Sequence, residues 1–269
     1  MSGPTVESAV LSDAWRQAGR AAQASGVEVR QISAADAAMA QTVVREAWGR
    51  QQIPQSNLLH ALSHAGNAVL AAVSDGTPVG VAFGFLGWSG GLHLHSHMTA
   101  VVRGYQSRGI GYALKSWQRA LCLEHDVTEM RWTYDPLIAR NAYFNLVKLG
   151  AQVQAFFPDF YGAMDDTVNA GDYSDRFEVS WQLKSEEVMA ALERREHHPA
   201  SAAGVVAIPA DYDSLRQSDP ARGREIRLST REQFVRLFAA GLRPAWADGG
   251  YVFAAAKKRP SETLSAAHG

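Results

Sequence analysis

The chain is short of cysteine: Cys122 is the only one in 269 residues. A single thiol cannot close an internal disulfide, and no cysteine-based zinc site can be built from it. Net charge is also nearly absent, with 26 Lys and Arg against 27 Asp and Glu. Proteins that hold nucleic acid by its phosphates are normally visibly basic, and no clear helix-turn-helix is present, so no nucleic-acid partner is expected. No apolar run approaches the roughly 18 residues that a membrane-crossing helix needs, so no membrane partner is expected either. Residues 1–10 lack a basic stretch followed by an apolar one, so no secretory signal is expected and the expected location is cytoplasmic. Internal repeats are absent. What is present is ordinary, 46% hydrophobic and 20% charged residues. That is enough for a packed core in one large domain or two small ones.

Periodicity divides the chain. Residues 6–24 read as a marginal amphipathic helix ended by Gly26. Val27-Glu-Val-Arg-Gln-Ile32 alternates as a half-buried strand does. Ser33 with Asp36 three residues on predicts a capped helix running to Trp48, and a short helix follows at 55–65. Strands at 68–73 and 79–86 flank Ser74-Asp-Gly-Thr-Pro78, which predicts a hairpin. A strand at 92–102, a helix at 109–125, a strand at 129–134 and a helix at 138–149 come next. Strands at 153–157 and 177–183 enclose a long polar loop, 158–175. Beyond Leu183 the pattern predicts a helix at 185–195 and a linker at 197–204. Ser229, with Glu232 three residues on, predicts a helix at 230–240 stopped by Gly241, before a last strand at 251–255. The mixture of hairpins and helices predicts an α/β class of mixed α+β character. The expected domains are a helical segment 1–26, a core 27–183, an extension 184–256 packing on that core, and a flexible tail 257–269.

The sharpest motif is Val101-Val-Arg-Gly-Tyr-Gln106-Ser-Arg-Gly109-Ile-Gly111-Tyr-Ala-Leu, between a predicted strand and a predicted helix. Glycines let backbone approach a ligand, and the free N–H groups and dipole of a helix start favour an anion. With Arg108 adding charge, the turn reads as a diphosphate cradle, although a plain tight turn has the same pattern. No Gly-Lys-Ser/Thr follows, so it is not a Walker loop. The missing third glycine and the alternating strand separate it from a dinucleotide fingerprint.

Gln106-x-x-Gly109-x-Gly111 resembles the acyl-CoA signature of the GNAT superfamily of acyltransferases. Asn141-Ala142-Tyr-Phe-Asn-Leu-Val-Lys148-Leu-Gly150-Ala is similar to that family's later helix, which ends in Lys-x-Gly before a strand. More narrowly, the chain resembles a bacterial GNAT subfamily with a long C-terminal extension. The resembling segments are His95-Ser-His-Met, Trp132-Thr-Tyr-Asp-Pro, Arg140-Asn-Ala-Tyr-Phe-Asn, Phe160-Tyr-Gly, Ser174-Asp-Arg-Phe, Ile208-Pro-Ala-Asp and Ser229-Thr-Arg-Glu-x-Phe. Some members of that subfamily are linked to N-acylamino-acid racemases and N-succinylate amino acids, D-amino acids included.

The resemblance implies a central mixed, mostly antiparallel sheet flanked by helices. It implies transfer of an acyl group from acetyl-CoA or succinyl-CoA to a small amine, an amino acid being the expected acceptor. It places the CoA diphosphate on Gln106, Arg108, Gly109, Gly111 and Tyr112. The pantetheine arm would run along the strand ending at Val101 and Val102, with the thioester near the splay beyond it. Asn141 is a pantetheine or helix-cap contact in this reading. An acyl carrier protein presents the same phosphopantetheinyl arm and is the alternative donor, with Arg103, Arg108 and Arg140 as patch members. A non-catalytic acyl-CoA sensor is a third reading. Gly109→Val is expected to abolish CoA binding and leave the fold intact.

Amine acylation must shed a proton. His93, His95 and His97 alternate, so a strand's period of two puts all three on one face, and an ordinary imidazole accepts protons near pH 7. The resemblance favours His95, then His97, as base, with His93 beside the substrate. A core role for one of the three, and a zinc site, are the other readings; the family's chemistry needs no metal, and none is expected. The position where the family carries a general-acid tyrosine is Leu146 here. Tyr143, one turn earlier, is the substitute, with helix packing as its other reading. In the loop, Arg176 can fork a carboxylate or pair with Asp175 or Asp172, and Tyr161 and Asn169 are further acceptor contacts. Arg222, Arg224, Arg227 and Arg231 read as a solvated or salt-bridged stretch given Asp219, Glu225 and Glu232. Arg231 would reach the acceptor pocket if the extension folds over the sheet. Cys122 and Trp132 read as core. The chain is expected to be a monomer or homodimer, with Phe234, Leu237 and Phe238 as core or as a partner-facing stripe.

Overall fold

The computed structural model describes residues 6–162, 172–195 and 202–256. The chain divides into two compact units, one of residues 1–133, 164–171 and 180–189, the other of residues 134–163, 172–179 and 190–269.

The first unit carries α1 (Val6–Ala24), β1 (Glu28–Gln31), α2 (Ala37–Trp48), α3 (Ser56–His64), β2 (Val69–Ser74), β3 (Thr77–Gly87), β4 (His93–Val101), α4 (Ile110–Glu124) and β5 (Glu129–Tyr134) up to Thr133. The strand order is β1-β2-β3-β4-β5, antiparallel at each step except β4 to β5, which is parallel. The mixed class expected from the sequence holds. Period-two alternation gives the sheet two apolar faces, and each is covered by helices. Ile32, Val69, Ala71, Val81, Phe83 and Ala100 pack with Val43, Val44 and Leu59 of α2 and α3. On the other face Val29, Leu70, Ala72, Val79 and Ala82 pack with Ile110, Ala113 and Leu114 of α4. Outside α4 lies α1, with Trp15 edge-on to Trp117 at 5.0 Å between centroids. Gln17 of α1 also accepts from Arg119 at 3.2 Å. The start of α2 is held as Ser33 and Asp36 predict: the Asp36 carboxylate accepts from Ser33 N–H and Oγ, both at 2.9 Å.

The second unit carries α5 (Ala139–Ala142), β6 (Gln152–Phe157), most of β7 (Arg176–Gln182), the end of α6 (Glu186–Leu192), and β8 (Gly204–Ala207). It continues through α7 (Tyr212–Ser218), α8 (Pro220–Ala239), β9 (Leu242–Ala247) and β10 (Gly250–Ala255). β6 lies beside β7, and β8-β10-β9 form a separate antiparallel sheet. An aromatic core fills this unit: Phe177 lies 4.8 Å from Phe234 and 5.3 Å from Tyr251, and Phe238 lies 5.8 Å from Phe253. The Phe234 and Phe238 stripe is therefore core.

Several elements differ from the expectation. The helix expected at 230–240 begins a full ten residues earlier: Asp219 caps it by accepting from Arg222 N–H at 3.0 Å, and Pro220 occupies its first turn. Proline at a helix start costs no hydrogen bond, so Asp-Pro rather than Ser229 is the start signal. Residues 212–218 form a further helix, capped by Asp211. β8 and β9 are not in the expectation: β8 has only four residues, and β9 contains Pro244, which argues against a strand. The helix expected at 138–149 is one α-helical turn followed by a π-helical stretch, Tyr143–Lys148. No helix among the described residues is long and apolar enough to cross a membrane.

Candidate active site

Three features of the first unit converge at the end of β4. The β3–β4 register runs Phe83↔Met98 and then Gly84↔Ser96. His97 is thus an extra residue, a β-bulge, which bends the strand and re-aims its neighbours. Gly84 makes room for it: a Cβ there would lie 2.6 Å from the His95 carbonyl oxygen. Next, β4 and β5 share register only at Leu94↔Met130 and His95↔Arg131 among the described residues. Past His95 the two strands part, and the edge of β4 opens.

The third feature is the turn after β4. Val102 N–H donates to Val79 O at 3.0 Å, and a short 3₁₀ turn, Arg103–Tyr105, follows. The Gln106 amide donates to Val101 O at 3.1 Å, which ties the turn to the strand end. Ser107 and Gly109 both have positive φ, 63° and 89°. Gly109 caps α4 in the left-handed region and, having no side chain, makes no side-chain cap. The guanidinium of Arg108 lies over the Tyr105 ring at 4.9 Å. Gly111 is bare, since a Cβ there meets nothing within 4 Å. The Tyr112 hydroxyl accepts from Gln17 at 3.1 Å. A helix start opened by glycine, with a neighbouring arginine, favours an anion through its dipole. The expectation that Gly109→Val would leave the fold intact fails on two counts: φ is left-handed, and a Cβ would sit 2.7 Å from Ser25 Oγ.

The histidines are only partly equivalent. His95 and His97 lie 6.0 Å apart between centroids, and Phe85 packs on both, at 5.2 and 5.9 Å. Phe83 adds a contact to His97 at 5.7 Å. His93 is buried, with Nδ1 2.8 Å from Gly91 O, and its ring fills the space over Gly87. Burial, then the positive charges of His97, His93 and Lys115, push the His95 imidazole down to about 4. Partial burial against the phenylalanines lowers His97 as well. The expectation of a base with an ordinary imidazole value is thus corrected: His95 is neutral at pH 7, and weak. Among the described residues no three His, Cys, Asp or Glu side chains converge to hold a metal.

Beneath the bulge lies a chain of buried polar groups that sequence reasoning missed. Lys115 of α4, 4% exposed, donates from Nζ to Ser96 Oγ at 2.7 Å, and Ser96 donates to Gln118 Oε1 at 2.8 Å. The ammonium also sits 3.7 Å from the Trp132 ring centre on β5. Burial pushes Lys115 down to about 7 and the Cys122 thiol up to about 12. Gln118 Nε2 is buried and makes no hydrogen bond among the described residues, an omission that costs about 1–3 kcal/mol. The readable signal was Gly84, one of three glycines in β3, since glycine in an apolar strand marks a bulge or a close backbone approach. Lys115 gave none, because the residues that bury it come from β4, β5 and α1.

The remaining candidates belong to the second unit. Tyr143 is exposed, with Lys148 Nζ 5.7 Å from its ring. The Asn141 backbone N–H bonds Ile138 O in the first turn of α5. Arg176 is buried, stacks on Tyr161 at 5.3 Å and donates to the Asp175 backbone oxygen at 2.8 Å. Asn169 lies outside the described residues. The arginine stretch departs from its expected partners. Arg222 does pair with Glu225 at 2.6 Å. Arg227, however, is fully buried, forks Asp135 at 2.7 Å through both oxygens and reaches Asp172 at 2.7 Å. Burial alone would raise the Asp135 carboxyl, but the charge and hydrogen bonds of Arg227 outweigh it and hold it below the usual range. Arg231 pairs with Asp175 at 2.6 Å and lies over Tyr173.

No curated protein matches the sequence at a significant level. Among solved structures, the chain is similar to Naa50 of Arabidopsis thaliana in complex with the bisubstrate analogue CoA-Ac-MVNAL (15% identity, 58% of this chain and 97% of that one, TM-score 0.48). It is similar to diaminobutyrate acetyltransferase EctA of Paenibacillus lautus in complex with L-2,4-diaminobutyric acid and coenzyme A (18%, 60% and 97%, TM-score 0.47). It is also similar to the ribosomal-protein-S18-alanine N-acetyltransferase of Escherichia coli (13%, 59% and 95%, TM-score 0.48). Likeness at that level carries no chemistry across. The sequence model of the Acetyltransferase (GNAT) family matches residues 33–144, the stretch that holds the bulge, the histidines and the Gly109 turn. Residues 33–144 therefore match the acetyltransferase (GNAT) family, and the chain is an acyltransferase.

Proposed function

We propose that the chain transfers an acetyl or succinyl group from a CoA thioester to the amine of a small molecule, with an amino acid as the acceptor class. One observation carries this reading. The β4–β5 pairing ends at His95, the bulge falls at His97, and the same strand runs directly into the glycine-opened start of α4. In this reading the CoA diphosphate sits on the amides from Gly109 to Tyr112, with Arg108 and Gln106 at its side. The pantetheine arm pairs with the open edge of β4 toward Val101 and Val102, and the thioester reaches the splay beside His95.

The amine nitrogen attacks the thioester carbonyl carbon, and β4 backbone N–H groups stabilise the oxyanion. His95, already neutral, is too weak a base to strip an alkyl ammonium beforehand. It takes the proton once the C–N bond has formed and the nitrogen has become acidic. His97 is the second candidate for this role, and His93 positions the strand. The C–S bond then breaks and CoA thiolate departs. An ordinary thiol has a pKa of about 8.5, so departure does not require an acid from Tyr143.

A second reading is favoured by the exposed Arg103 and Arg108 on the turn: an acidic acyl carrier protein as donor. Thiol release with acetyl-CoA and succinyl-CoA, against D- and L-amino acids and simple amines, tests the first reading. Acceptor-dependent release establishes it. Release only from an acyl carrier protein moves the assignment to the second.

A further inference from the structure

We propose that Lys115 is a positioning residue of the acylation site, fixing β4 at its bulge and the mouth of the β4–β5 splay from behind. The inference rests on the reading above for its chemistry, but its geometry stands alone. Lys115 belongs to the helix that opens at Gly109, one turn past Gly111. From there it reaches two strands: Nζ bonds Ser96 Oγ on β4 at 2.7 Å and lies 3.7 Å from the Trp132 ring centre on β5. Ser96 stands between His95 and the bulge residue His97. Ser96 and Trp132 lie on the two strands just past Leu94↔Met130 and His95↔Arg131, where their register ends. One side chain thus spans the start of the splay and ties it to the helix that would carry the diphosphate.

The arrangement is poorly explained by stability. Lys115 forms no ion pair among the described residues, and the one ionisable group that raises it is the Cys122 thiol, itself held neutral. The chain ends on Gln118, whose Nε2 is left without a partner. Methionine would fill the same volume without a buried charge. What the charge does is act on the front of the strand. The titratable groups that push His95 down are His97 and His93 on its own strand and Lys115 from α4. Arg131, its register partner on β5, is neutralised by Glu129 at 2.7 Å. Lys115 is the one of these groups that comes from another element and is not a histidine.

The test is Lys115→Met in the full chain, read three ways: thermal midpoint, steady-state kinetics with CoA affinity, and His95 titration by NMR of its ring protons. The expected result is a midpoint no lower than that of the parent and unchanged CoA affinity. kcat falls about tenfold to a hundredfold, the scale of a small misplacement at a reacting centre. The His95 titration moves to higher pH, because a positive neighbour has gone. Ser96→Ala, which keeps the charge and cuts the tie, should lower kcat while leaving the His95 titration nearer the parent's. A Lys115→Met protein with parental kcat and parental His95 titration would overturn the proposal. So would a kcat loss in both variants that only tracks a fall in midpoint. If the parent itself transfers no acyl group to any acceptor, the proposed function fails instead, and the His95 titration still decides whether Lys115 acts on the strand.

Discussion

Arg227 grips Asp135 through both carboxylate oxygens, each at 2.7 Å, with the two side chains only 1% and 9% exposed. The residues stand 92 apart in sequence. A second carboxylate, Asp172, shares the same guanidinium at 2.7 Å. The Arg216 side chain, 8% exposed, also lies 3.5 Å from Asp172, so two buried anions and two buried cations make a network in which Asp135 depends most on Arg227.

Removing one partner should therefore cost more than a surface pair would. Arg227→Met leaves Asp135 and Asp172 buried against each other and is expected to lose about 3–5 kcal/mol. Urea unfolding of the full chain measures it, and a loss below about 1 kcal/mol would mean that the network is hydrated. The pH dependence has a definite sign. The folded Asp135 value is lowered, so the contribution is present above the unfolded carboxyl value, about 3.9, and is lost as pH falls through the folded value.

Gly109 and Gly111 should separate backbone need from ligand need. Gly109→Ala forces a side chain into φ 89° and against Ser25 Oγ, with an expected loss of about 1–3 kcal/mol. Gly111→Ala meets open space and should unfold at the parental midpoint. Paired thermal melts and CoA titrations check this. Equal melts for the two variants would contradict the strain at Gly109.

His95→Ala should lower turnover by about a hundredfold or more, the usual weight of a positioned base. In parent and variant alike, kcat/KM is expected to rise with pH as the free amine increases. In the parent a further, steeper fall appears only in the region of pH 4, where His95 takes up its proton, and in the variant that extra fall disappears. An unchanged profile removes His95 from the reaction and leaves His97 as the candidate.

Lys115 gives a stability signature of its own. Its folded value, about 7, lies below the ordinary lysine value of 10.5. Between those two values the unfolded chain binds a proton that the folded chain does not. Stability therefore rises as pH is raised from about 7 toward 10. Urea midpoints across that range should climb in the parent relative to Lys115→Met. Parallel curves would mean that the buried amine keeps its proton.

Much of the first unit was legible in the sequence. Alternation placed β1, apolar runs joined by the turn at 74–78 placed β2 and β3, Ser33 and Asp36 placed the start of α2, and Gly109 marked the opening of α4, since each signal lies within a few residues of what it dictates. The α8 start was legible too, in Asp219-Pro220, but Ser229 was read instead. Other features could not be read. Lys115, Ser116, Gln118 and Arg119 look like the wet face of α4, yet all are buried, because α1 and the sheet enclose that helix on both sides. Arg227 looked like one more solvated arginine because its counter-ions lie in Asp135 and Asp172, far back along the chain.

By itself the sequence determined the order of strands and helices as far as β5, the glycine turn after Val102 and the run of histidines on β4. These follow from periodicity and from conformations that only certain residues adopt. Tertiary structure alone decided that His97 bulges, that β4 leaves β5 after His95, that the His95 imidazole is neutral and weak, and that Lys115 and Arg227 lie inside. Those outcomes depend on which groups packing brings within a few ångströms and on how much water it removes, and no local pattern encodes either.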